Sequence, residues 1–228
     1  MTGTVEQGFH PGVVFDIDGV LLNSNPAHFD SWQDMARKDG FDFSEKLFQD
    51  TFGQTSTAIL RNHWNRKLTE DEIEEMARRK EDLYREYAAR NFDSLIMPGA
   101  VGFARDLFAK GFPLSVGSSG PGYNVCFVLE RLGIVPLLKG IVSGTDVARG
   151  KPAPDIFLQC AEKMRIAPEL CVVIDDSESG ITAALAAGMK IIGFQSTGHK
   201  DEEYRDVDLL VHSFAELSPE ALAELFSR

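Results

Sequence analysis

Six short apolar runs recur along the chain with helix-like stretches between them, and this rhythm limits the possible folds more than any other feature. The runs are Val13 to Phe15, Pro113 to Val116, Gly140 to Val142, Leu170 to Ile174, Lys190 to Phe194 and Asp208 to Val211. Most are nearly continuous in aliphatic and aromatic residues rather than alternating with polar ones, the pattern of strands covered on both faces of a parallel sheet. Parallel neighbours need long crossovers, and helical segments separate the runs. The expectation is therefore an α/β fold with a doubly wound, Rossmann-like parallel sheet. A chain of 228 residues, 43% hydrophobic, has enough apolar material for one good-sized core and a smaller unit beside it.

One interval breaks the rhythm. Between Ser24 and Ile96 no strand candidate occurs, and Thr69 to Asn91 (TEDEIEEMARRKEDLYREYAARN) is charged and helical in pattern. Thr69 with Glu72 has the spacing of a capping box, and Ile73, Met76, Ala77, Leu83, Tyr84 and Tyr87 supply an apolar stripe. A small α-helical domain, residues 24–96, is expected as an insert into a sheet domain made of 1–23 and 97–228. The chain leaves the sheet near Asn23 to Pro26 and returns near Met97-Pro98-Gly99, two adjacent linkers suited to a hinge.

The first run ends in VVFDIDGVLL, with Asp16 and Asp18 followed at once by Gly19. In doubly wound sheets ligands bind beyond the carboxyl ends of strands, so both acids are expected where chemistry is done. Two carboxylates this close repel unless a cation or a shared proton intervenes. Three later stretches fall on the same edge. Leu114 to Gly120 (LSVGSSG) ends a strand in a turn of small residues, where the Ser118 hydroxyl and nearby amides can bond phosphate oxygens. Gly150 to Asp155 (GKPAPD) holds Lys151 in a proline-restricted turn before a helix. Val172 to Gly180 (VVIDDSESG) ends a buried strand in Asp175 and Asp176, and capping of the next helix explains one acid but not two.

These four pieces, in this order, resemble the haloacid dehalogenase superfamily, in particular its phosphatase and beta-phosphoglucomutase branch with a small helical cap. The resemblance covers nearly all of the chain after Gly12. Asp18 is present where dehalogenases and phosphonatases lack the second aspartate, which points to phosphoryl transfer. The resemblance implies Asp16 as nucleophile, Asp18 as general acid and base, and Ser118 with Lys151 on the phosphate. It implies Mg²⁺ held by Asp16, Asp18 through its main chain, Asp175 and Asp176. His28 and Lys80 look like the cap residues that touch the acid–base aspartate in beta-phosphoglucomutase. Gly53, Gln54 and Thr55 match the specificity loop in position, and Ser119 completes the expected substrate contacts.

The expected activity is a Mg²⁺-dependent phosphatase acting on a small phosphorylated metabolite, a sugar or polyol phosphate. The alternatives are a phosphomutase, a pyrophosphatase of the same fold and a non-catalytic phosphometabolite sensor. In beta-phosphoglucomutase the distal phosphate is held by a cap arginine and a Ser-Lys pair; those positions fall here on Ser56, Gly120 and Pro121, with Arg61 nearby as a replacement. A net charge of −12 disfavours nucleic acid and anionic membranes as partners. No obligate protein partner is evident. Cys126, Cys160 and Cys171 lie in apolar surroundings and read as buried reduced thiols, fitting a cytoplasmic setting. The first twelve residues lack the order of a signal peptide and read as a frayed leader.

Overall fold

A computed structural model gives the fold and describes residues 10–51, 54–195 and 204–227. Residues 1–9 of the expected leader and the specificity-loop residue Gly53 lie outside the described residues, while Pro11 and Gly12 at the end of that leader are buried rather than frayed. Strands β1 (Gly12–Phe15), β2 (Leu114–Gly117), β3 (Leu138–Val142), β4 (Cys171–Asp175), β5 (Lys190–Phe194) and β6 (Leu209–Val211) form one parallel sheet in the order β3-β2-β1-β4-β5-β6. Each of the six apolar runs becomes one strand, shifted at its ends by at most two residues.

The insert supplies α1 (Asn25–Lys38), α2 (Glu45–Asp50), α3 (Ser56–His63), α4 (Glu70–Arg90) and α5 (Phe92–Leu95). The sheet is flanked by α6 (Ala100–Ala109), α7 (Gly122–Leu132), α8 (Asp155–Met164), α9 (Glu178–Ala186) and α10 (Pro219–Glu224). Alternation along the strands divides the sheet core. Val13, Phe15, Val116, Val172 and Ile174 face α6, α7 and α10, whereas Val14, Val142, Val173 and Ile191 face α8 and α9. Both faces are therefore dry, which explains why the runs do not alternate with polar residues.

The insert has its own apolar cluster. Trp32, Met35 and Ala36 of α1 pack with Phe43, Ile59, Leu60, Trp64, Ile73 and Ala77, and the Trp32 and Phe43 rings stack at 5.1 Å. Each large side chain buried this way contributes about 1.5–3 kcal/mol. α4 begins with the capping box expected at Thr69 and Glu72, both reciprocal bonds being present. The two linkers bond to each other: Asn23 N donates to Leu95 O, and Met97 N donates to Leu21 O. Among the described residues no helix is long and apolar enough to cross a membrane.

One expectation is corrected. Cys160 and Cys171 are buried free thiols, but Cys126 is exposed. The buried stripe of α7 runs through Asn124, Val125, Val128, Leu129 and Leu132, and Cys126 lies off it. Burial pushes the Cys160 thiol up to about 11 and that of Cys171 up to about 12, so both stay protonated at pH 8, and the thiolate is the reactive form. Native protein at pH 8 should therefore react rapidly with a thiol reagent at one cysteine, Cys126, and at three after denaturation in urea. Peptide mapping that found Cys160 or Cys171 labelled at the same rate as Cys126 in native protein would contradict this packing.

Candidate active site

The winding of the sheet reverses between β1 and β4: β2 and β3 lie to one side of that boundary, β5 and β6 to the other. The crevice at such a reversal is where ligands bind. Register pairs Phe15 with Ile174, so Asp16 and Asp175 leave adjacent strands side by side. Ser118 follows β2, on the other flank of β1, and Lys151 lies in the connection between β3 and α8. Four segments distant in sequence thus deliver their polar side chains to one point.

Two glycines make room for the acids. A Cβ at Gly180 would lie 2.0 Å from Asp175 Cγ, and one at Gly19 would lie 1.7 Å from Asp176 Oδ2. Gly19 also has φ of +77°, a conformation that costs a residue with a side chain about 1–2 kcal/mol. The overlap with Asp176 is the larger obstacle, because relieving it displaces a carboxylate of the site.

Asp16, Asp175 and Asp176 are buried, and one oxygen from each lies within 4.8 Å of the others. Lys151 Nζ donates to Asp16 Oδ1 at 2.6 Å and to Asp175 Oδ2 at 2.8 Å. The other Asp175 oxygen accepts from Ser177 N and Oγ, and Ser177 also caps α9. Burial raises the Asp16 carboxyl well above the usual range; Lys151 opposes this, while Asp175 and Asp18 add to it. Burial also works against the charge on Lys151, but the flanking Asp16 and Asp175 prevail and raise it. One lysine facing several acids leaves the cluster short of positive charge. A set of hard carboxylate oxygens fits a divalent cation such as Mg²⁺.

The Asp18 side chain lies outside this cluster, as expected if only its main chain serves an ion. Its Oδ1 accepts from Ser24 Oγ and lies 3.4 Å from His28 Nε2. Burial works to raise the Asp18 carboxyl, yet the hydrogen bonds from His28 and Ser24, with the nearby charge of Lys80, hold it below its ordinary value. Lys80 does not touch Asp18. It donates to His28 Nδ1 at 2.7 Å and so acts through the imidazole.

Above the acids is a cavity of about 550 Å³ between sheet domain and insert. Asp16, Asp18, Ser118, Ser119, Lys151 and Asp176 form its floor; His28, Gln54, Thr55 and Lys80 line it from the insert. Thr55 also caps α3 through its hydroxyl, which accepts from Ala58 N. Ser118 Oγ accepts from Gly120 N at 3.1 Å, a preformed turn. Arg61, weighed as a cationic replacement, is not among the lining residues: it pairs with Glu70 at 2.6 Å. Trp32 both packs in the insert and lines the cavity.

Sequence reasoning missed Glu81 and Asn124, both buried and both lining the cavity. The signal was spacing. Positions 80 and 81 fall on the stripe of α4 that carries Ile73, Ala77, Tyr84 and Ala88, so two charged residues occupy core positions.

The profile of the haloacid dehalogenase-like hydrolases matches residues 10–188. Hexitol phosphatase A of Escherichia coli (strain K12) is 29% identical over 207 residues, covering 91% of this chain and 93% of the relative. The beta-phosphoglucomutase of Bacillus subtilis (strain 168) is 28% identical over 217 residues, 93% of each chain. Among solved structures, a family IA variant 3 hydrolase of the same superfamily from Entamoeba histolytica superposes with a TM-score of 0.87 at 27% identity. That match covers 96% of this chain and 100% of the other. Similarity of this degree to a phosphatase and to a mutase leaves the reaction to be argued from the site.

A divalent cation that relieves the acidic cluster should stabilise the fold by mass action. Mg²⁺ at a hundred-fold its Kd should raise the melting temperature by about 5–10 °C. Asp176→Asn should abolish most of that Mg²⁺-dependent rise. A melting temperature unmoved by millimolar Mg²⁺ in wild-type protein would count against the cluster as a cation site.

Proposed function

The chain belongs to the haloacid dehalogenase-like hydrolase family, and from that premise we propose that it is a phosphatase cleaving a small phosphorylated metabolite, a sugar or polyol phosphate, through an aspartyl-phosphate. The observation that carries this reading is the pair of aspartates with opposite surroundings. Asp16 sits in the cation-binding cluster with Lys151, and Asp18 is turned to the insert and hydrogen-bonded there.

Asp16 is the nucleophile. One of its oxygens attacks phosphorus while the ester bond to the leaving oxygen breaks, and Asp18 gives that oxygen a proton. Asp18 is held ionised by its partners in the arrangement described. A dianionic phosphoryl group arriving beside it favours the protonated form that this step needs. Water then attacks the phosphorus of the aspartyl-phosphate, Asp18 takes its proton, and the bond to Asp16 breaks to release phosphate. Ser118 and Lys151 hold the nonbridging oxygens throughout, with Lys151 offsetting the charge that develops there. Asp16, Asp175 and Asp176, with the main-chain carbonyl of Asp18, would hold Mg²⁺, which when bound neutralises charge on the cluster and on the phosphoryl oxygens.

The cavity lining favours hydrolysis over transfer of the phosphate to another position. A mutase must grip a bisphosphate at both ends, and its distal phosphate needs fixed cationic partners. Ser56, Gly120 and Pro121 line the cavity without supplying positive charge. Among the described residues, the lysines and arginines lining the cavity are Lys151, which serves the reacting phosphate, Lys80, which is buried against Glu81 and His28, and Arg78, which lies 3.5 Å from Asp82. The same shortage argues against pyrophosphate. A purely sensory role is disfavoured because each of the motif acids is present. The paired linkers support a hinge by which the insert opens to admit substrate and closes to exclude bulk water.

A screen of hexose, pentose and polyol monophosphates with Mg²⁺ should find net phosphate release that needs no bisphosphate activator. Asp16→Asn should lower kcat by about 10³-fold or more while the circular dichroism spectrum stays that of wild type. Substantial turnover by folded Asp16→Asn protein would overturn the covalent route. Isomerisation of beta-glucose 1-phosphate outpacing phosphate release would make the protein a mutase.

A further inference from the structure

Lys80 and Glu81 are a charged pair on the buried stripe of α4, and every polar atom of the Glu81 carboxylate is taken by the protein. Oε1 accepts from Ser56 Oγ at 2.5 Å and from Lys80 Nζ at 3.1 Å; Oε2 accepts from Asn124 Nδ2 at 2.6 Å. Asn124 belongs to α7 of the sheet domain, and its Oδ1 accepts from Arg85 Nη1 at 2.6 Å. A donor on one side and an acceptor on the other fix which way its amide faces. On the opposite side of Glu81, Lys80 donates to His28 Nδ1. An ammonium has only donors, so Nδ1 is the acceptor and the imidazole proton sits on Nε2, toward Asp18. The imidazole is clamped in that plane by Tyr84, stacked at 3.9 Å and 5°.

The result is a continuous path, Asn124–Glu81–Lys80–His28–Asp18, that crosses between sheet domain and insert twice, once at each end. Neither crossing can be made unless the insert is seated. We propose that Glu81 and Asn124 are positioning residues that couple seating of the insert to the placement of His28 against Asp18. This inference rests on the proposed role of Asp18 as acid and base. Both residues line the cavity, yet their polar atoms are engaged with protein partners, so they act on the chemistry through Lys80 and His28. A buried carboxylate is well suited to the task, because losing any partner leaves charge uncompensated in a dry environment and shifts the insert away from its seat.

An amide–carboxylate exchange tests this. Asn124→Asp is isosteric and keeps a partner for Arg85, but sets a second carboxylate against Oε2 of Glu81. Glu81→Gln sets two amide groups face to face. Each single variant should lose about 10–100-fold in kcat with a smaller change in KM. Combined, they restore each bond: the glutamine introduced at position 81 accepts from Ser56 and Lys80 and donates to the aspartate introduced at position 124. The double variant should recover to within a few-fold of wild type. A packing role alone would lower melting temperatures without this reciprocal recovery of kcat.

The side-chain ¹⁵N shifts of His28, assigned with His28→Gln, give a second readout that needs no turnover. They should show Nε2–H and acceptor Nδ1 in wild type, lose that signature in each single variant and regain it in the double. Wild-type kcat in Asn124→Asp, unchanged His28 shifts, or a double variant no better than the worse single would overturn the proposal. Absence of phosphate release by wild-type protein, with the shift pattern as expected, would instead remove the phosphatase reading and leave the coupling standing.

Discussion

The site is built around one electrostatic conflict. Asp16 and Asp175 leave adjacent parallel strands in register, are buried, and would repel each other strongly in surroundings of low dielectric. Lys151 stands between them and bonds both, at 2.6 and 2.8 Å. The rest of the arrangement follows from that need. The turn that carries Lys151 must approach the end of β1, Gly180 must lack a side chain so that Asp175 can face Lys151, and Gly19 must lack one so that Asp176 can join. Burial still lifts Asp16 out of the ordinary carboxylate range, which marks the charge that one lysine leaves uncompensated. On the function proposed, a divalent cation and a phosphoryl group would bring opposite charges to this one place.

The division of labour proposed for the two aspartates rests on where each points. Asp16 continues the strand and stays with the cluster; Asp18 lies beyond Ile17 and turns toward Ser24 and His28. One carboxylate is therefore tied to the end of the sheet, and the other is hydrogen-bonded toward the insert. On the mechanism proposed, tying the acid–base group to the insert would keep it from activating water whenever the insert is not seated. The cavity lining combines polar Gln54, Thr55, Thr57 and Thr145 with apolar and aromatic Phe48, Ile59 and Tyr123.

The sheet was legible in the sequence because its inner strands β1, β2, β4 and β5 are buried on both faces and so leave mostly apolar runs, while the edge strands β3 and β6, only partly buried, leave shorter ones. The polar cluster beneath the cavity was legible for a related reason: Asp16, Ser118, Asp175 and Asp176 stand at or just beyond strand ends, where an interrupted apolar run leaves few structural explanations for an acid pair, and Lys151 stands in a proline-flanked turn between β3 and α8. The insert was harder to read. Lys80-Glu81-Asp82 looks like the solvated face of a charged helix, and only the spacing of Ile73, Ala77, Tyr84 and Ala88 places two of the three inside. Asn124 carries no signal in its own neighbourhood, because its partner is a glutamate 43 positions away. Cys126 was misplaced because an apolar neighbourhood in sequence is not an apolar face in a helix.

The central claim is that the buried cluster poises Asp16, and no other carboxylate, to accept a phosphoryl group. Beryllium fluoride mimics an acyl phosphate and reports where that group would be carried. A crystal structure grown with Mg²⁺ and beryllium fluoride tests the claim most directly. The account predicts a fluoroberyllate bonded to an Asp16 oxygen, its fluorides held by Ser118 and Lys151, with Mg²⁺ against Asp175 and Asp176. A fluoroberyllate on Asp18, on Asp176 or away from these acids would contradict it.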